Sequence, residues 1–110
     1  MSPTMPKIEE GLRNALHKLT GSPRVTALDY MINVDAQGEE YLLVYAILHD
    51  DDASPVPPRE QLAGIEGIIR DELEKQMGLW VSVRFRSSAE QQHELDRRSV
   101  VAKPRRVSAA

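Results

Sequence analysis

His49 is followed by three consecutive aspartates, Asp50, Asp51 and Asp52, and carboxylates beside an imidazole are donors for hard cations and for acid/base work. Adjacent carboxylates point apart, however. To converge on one ion they need further ligands at spaced positions and a glycine at the bend, and the stretch 49–58 has neither. It therefore reads as a solvated loop, and no metal is expected. His17, His49 and His93 fall in separate segments, without an HExxH pair or an evident Ser/His/Asp arrangement. With no cysteine in the chain, thiol nucleophiles, thiolate metal sites and disulfides are excluded. These residues predict a protein that is not an enzyme, with no catalytic residue, no cofactor and no small-molecule substrate. Gly64-Ile65-Glu66-Gly67 has the spacing of a backbone-clamping GxxG loop, but Glu66 between the glycines repels phosphate.

The residues that suit recognition are Trp80, Arg84 and Arg86. They lie at alternate positions, so one face of a strand presents an aromatic ring beside two fixed cations. That set suits an anchor in a protein interface, or base stacking and phosphate contact with RNA. It also suits the charged, solvated side of an edge strand that resists aggregation. Leu42 and Val44 join the candidate partner-binding set. They stand in a segment, 41–48, that is apolar on both faces, with Tyr41, Leu43, Tyr45 and Ile47 on one and Leu42, Val44, Ala46 and Leu48 on the other. If helices cover only one face, the other is left greasy and open, and a monomer avoids that over large areas. The cover expected is another protein, a second copy of the chain, or its own C-terminal segment containing Val100 and Val101.

These residues need elements to hold them. Ile8, Leu12, Ala15, Leu16 and Leu19 recur at spacings of three and four, which predicts a helix over 7–19 that Gly21 and Pro23 end. Leu28, Tyr30, Ile32 and Val34 alternate with Asp29, Met31, Asn33 and Asp35, the period of a strand. Gly38 lies in a short turn before 41–49, so the two segments form an antiparallel hairpin. Prolines 55, 57 and 58 close the loop. Leu62, Ile65, Ile68, Ile69, Leu73 and Met77 then predict a second helix capped by Gly78. Gly64 and Gly67 within it imply close packing on the sheet or a bend. Leu79, Val81, Val83 and Phe85 give a third strand, with a crossover that permits parallel pairing. Ser87 and Glu90 form a capping box for a short last helix.

The predicted fold class is α+β: a two-layer sandwich in the order α-β-β-α-β, with a three-stranded sheet and its helices on one face. The chain of 110 residues fits one domain, 1–96, followed by a basic, flexible tail, 97–110, which holds five of the 14 Lys and Arg and no acid. The remainder is acidic, a sign that disfavours nucleic acid at long range. No run approaches the roughly 20 apolar residues of a membrane span. With no basic-apolar leader at the N-terminus, the cytoplasm is the expected compartment and a membrane partner is not expected.

The order α-β-β-α-β, Val44-Tyr45 within the hairpin, and the run Gly67-Ile68-Ile69-Arg70-Asp71-Glu72-Leu73 resemble ribosome-binding factor A. The resemblance spans about residues 8–85. It implies a KH-like fold and binding to the small ribosomal subunit, so RNA or the ribosome is the alternative partner. Val83-Arg84-Phe85-Arg86-Ser87 is also similar to the close of small uncharacterised bacterial proteins found near toxin or defence genes. That likeness implies a partner-binding role. The function expected first is a non-catalytic interaction module, a small adaptor or self-associating subunit that docks through the open sheet face.

Overall fold

A computed structural model describes residues 5–21, 23–78, 80–97 and 104–108. Leu79, Val100, Val101 and the side chain of Met77, to which the sequence reading gave roles, lie outside the described residues. The first helix, α1 (Met5–Lys18), buries Ile8, Leu12, Ala15 and Leu16 as its spacing requires. β1 (Val25–Val34) and β2 (Glu40–Leu48) pair antiparallel from Val25↔Leu48 to Val34↔Glu40. Asp35 fixes their turn. Its carboxylate accepts from the amides of Gln37 and Glu39, while Gly38 takes φ +83°, a left-handed geometry that glycine adopts without strain.

The aspartate run forms a short turn of helix, α2 (Asp50–Ala53), capped by the His49 ring. The next helix, α3 (Arg59–Met77), begins after Pro58 and ends at Gly78 in the left-handed conformation. β3 (Val81–Ser87) then joins β2 in parallel, from Leu42↔Val81 to Leu48↔Ser87. In α4 (Ser88–Arg97) the capping box is reciprocal. The Ser87 amide donates to Glu90 Oε1 and the Glu90 amide to Ser87 Oγ, both at 3.0 Å.

The α+β class holds, but the sheet differs from the expected one. Among the described residues it has four strands in the order β3-β2-β1-β4 and is mixed, because β4 (Arg105–Ser108) adds antiparallel to β1. Residues 105–108, expected in a basic tail, thus belong to the sheet. One apolar side chain, Val107, faces the core, and its neighbours Arg105 and Arg106 meet acids on opposite faces of the sheet.

α1 and α3 cover the first sheet face and enclose the main core, which includes Leu28, Tyr30, Leu42, Val44, Ile69 and Leu73. Gly11 lets these helices approach closely. A Cβ there would lie 2.9 Å from Leu73 Cδ2, closer than real Cβ contacts come, so the buried Leu73 side chain would have to shift. The second face is not the open surface that was expected. Leu43, Tyr45 and Ile47 are 6 %, 5 % and 1 % exposed within the single chain, and with Ala27 they form a second small core.

Candidate interaction surface

Polar groups line the margin of that second face. The Arg86 guanidinium lies over the Tyr45 ring at 4.2 Å, an attraction of about 0.5–2 kcal/mol. Its Nη1 also donates to Gln91 Oε1 at 2.9 Å, and Gln91, buried on α4, donates to Asp29 Oδ2 at 2.8 Å. Asp29 further receives two bonds from Arg106, from Nε at 2.7 Å and from Nη2 at 3.0 Å. The two residues are register partners across β1 and β4. An ionised carboxylate shut away from water is costly unless it is paired and hydrogen-bonded, and Asp29 is both. The bond to Asp29 also raises the Arg106 pKa above its ordinary value.

Of the five side chains expected to touch a partner, three are committed inside the molecule. Leu42 and Val44 are fully buried against α1 and α3, because even-numbered β2 residues turn toward the helices. They are corrected to core residues. Arg86 is half-buried and held by Tyr45 and Gln91. Arg84 and Trp80 remain outside. Arg84 is exposed and, among the described residues, makes no ion pair or side-chain hydrogen bond. Trp80 is 61 % exposed.

Trp80 is nonetheless held in place. The Arg70 guanidinium from α3 stacks on its ring at 4.7 Å, while Arg70 Nε donates to the Val81 carbonyl at 3.1 Å and Nη2 pairs with Glu66 at 2.9 Å. Arg70 lies ten positions before the ring it stacks on and on a different element, so periodicity gave no sign of it. At the other end of β3, an open pocket of about 180 Å³ is bordered by Phe85, Leu62, Val56 and Pro57, with Arg86 and Glu90 also lining it.

The residues that suggested chemistry are spent on structure. Asp52 accepts from Arg24 through its backbone amide at 2.7 Å and its Nε at 2.9 Å, while Asp50 accepts from the Ala89 amide. The Arg24 side chain, and then its amide, hold the Asp52 pKa down at about 2. Among the described residues no group of three His, Asp or Glu side chains is placed to hold a metal ion. Gly64 and Gly67 sit inside α3 with open space around them, so there is neither a phosphate-clamping loop nor close packing on the sheet. Burial, aided by the bond to Glu9, pushes the Tyr30 hydroxyl well above its ordinary pKa. No described helix is long and apolar enough to cross a membrane.

No family model, curated protein or solved structure matches this chain.

Proposed function

We propose that this protein is a non-catalytic interaction module that docks on another protein along the β3 side of its sheet, with Trp80 as anchor and Arg84 beside it. The observation that carries this reading is an indole ring left 61 % exposed yet held by a stacked guanidinium. Tryptophan and arginine are the residues on which binding energy concentrates, and a ring already fixed loses little entropy on docking. An RNA surface is less well supported. Of the three arginines near β3, Arg70 is paired with Glu66 and Arg86 is committed to Tyr45 and Gln91, which leaves Arg84 to meet phosphate.

The test is site-specific photocrosslinking in the native cell, with benzoylphenylalanine placed at Ser82, between Trp80 and Arg84 on the same strand face, in one chain and at exposed Val34 in another. A discrete protein adduct from position 82, absent from position 34 and lost when Trp80→Ala is added to the position-82 chain, is the expected result. RNA adducts in place of protein, or indistinguishable smears from both positions, would overturn the reading.

A further inference from the structure

Among the described residues β3 ends the sheet, and the chain's own side chains meet its outer edge. In the parallel ladder with β2, the Leu42 amide donates to the Trp80 carbonyl, so Trp80, Ser82, Arg84 and Arg86 direct their backbone groups inward. Val81, Val83, Phe85 and Ser87 direct theirs outward. Arg70 Nε occupies the outward Val81 carbonyl, and Glu90 Oε1 occupies the outward Ser87 amide. Both ends of the edge are therefore closed by the chain's own side chains. Between them, among the described residues, the N–H and C=O groups of Val83 and Phe85 have no partner.

Natural edges are blunted by proline, bulges or charge. β3 has no proline, its register with β2 runs without a bulge, and of its two charges Arg86 is held by Tyr45 and Gln91, which leaves Arg84 alone exposed. We infer that this three-residue window of β3 accepts an extended peptide segment as a fifth strand, and that the segment carries an acidic residue flanked by two apolar ones. The inference rests on the interaction-module reading and names the partner's chemistry.

The pattern follows from the alternation of the strand. In an antiparallel addition, Val83 and Phe85 exchange hydrogen bonds with the incoming backbone, and the residue between lies opposite Arg84, where side chains approach most closely. A carboxylate there pairs with an exposed, unpartnered guanidinium. Its two neighbours point to the other face, beside the half-buried Val83 and Phe85 and toward the pocket that Phe85 borders. Main-chain bonds supply affinity and alternate side chains supply selectivity, as in other strand-addition sites. A second copy of this chain fits poorly. Symmetric antiparallel pairing that uses both free residues places Arg84 opposite Arg84, and like charges directly opposed repel.

The probe is a fluorescein-labelled peptide of about nine residues, the length of a short strand, with Val-Glu-Val at its centre and threonines on either side. Fluorescence anisotropy with the full chain should show binding, weakened about three- to tenfold when the central Glu is Lys. The charge-swapped chain Arg84→Glu should prefer the Lys peptide, a reversal that misfolding cannot produce. N-methylation of both valines, which removes main-chain donors from the peptide alone, should abolish binding. Absence of binding, equal affinity for the Glu and Lys peptides, indifference to N-methylation, or a β3-mediated dimer in sedimentation equilibrium would each overturn the inference. If the Trp80-dependent protein adduct persists while the peptide fails, the interaction-module reading stands and the strand-addition site does not; if both fail, both are lost.

Discussion

Arg24 and Asp52 form an exposed clamp that ties the start of β1 to α2, and its strength depends on pH. Because the Asp52 pKa is held at about 2, below its usual 3.8, the folded state binds this proton less readily than the unfolded chain does. The stabilisation is therefore full above the usual carboxylate range and is lost as pH falls through 2. Asp52→Asn should flatten the fall in thermal midpoint between pH 4 and pH 2 while leaving the midpoint's response between pH 5 and pH 7 unchanged. Circular dichroism melts across that range check the prediction, and an unaltered acid slope would contradict it. The same residues show why the aspartate run misled as a chemical motif. Spacing reveals which carboxylates are adjacent, whereas the partner of Asp52 lies 28 positions earlier.

At the scale of elements, three glycines separate two physical roles. Gly11 sits where α1 meets α3, and an added methyl would press on Leu73, which is fully buried. Overpacking of that kind costs about 1–3 kcal/mol, against about 1 kcal/mol gained from alanine's helix propensity. Gly11→Ala should therefore lower the urea midpoint, and Gly11→Val should lower it further. Gly64→Ala and Gly67→Ala meet nothing and should raise stability by up to about 1 kcal/mol each in the same assay. From the sequence, all three are helix interruptions of the same appearance.

What was legible were elements with a long, clean period: α1, the β1–β2 hairpin, α3 with its Gly78 cap, and the capping box that opens α4. β4 was not, because four residues with one inward apolar side chain, Val107, carry no periodic signal. The alternation along β1 carries no sign that Asp29 is buried, for a related reason. Its burial depends on Gln91 and Arg106, which lie 62 and 77 positions away. Trp80 and Arg84 stood out by residue type, while the free edge at Val83 and Phe85 required knowledge of the strand order.

For the whole molecule, β4 is attached by charge as much as by its ladder. Arg105 reaches Glu9 on the helix side at 3.6 Å and Arg106 reaches Asp29 on the other. Arg106→Leu strips a buried carboxylate of its cation and should cost about 1–3 kcal/mol, reduced somewhat because water reaches the arginine. Replacing both partners with leucine should recover part of that loss, since an apolar pair leaves no charge uncompensated while the buried Gln91 amide loses its acceptor. Urea denaturation of the two variants decides it: a double variant no more stable than the single one would show that the pair itself, and not the orphaned acid, is what matters.

The parallel seam between β2 and β3 also sets a sequence of events. The hairpin joins neighbours in the chain and can zip within microseconds, but every pair across the seam is separated by about 40 residues and must await closure of that long excursion. β2 is consequently a nascent ribbon with a bare flank until α3 has swung the chain back. Renaturation should be slowest, and most exposed to wrong intermolecular pairing, in the interval before β3 arrives to shield it.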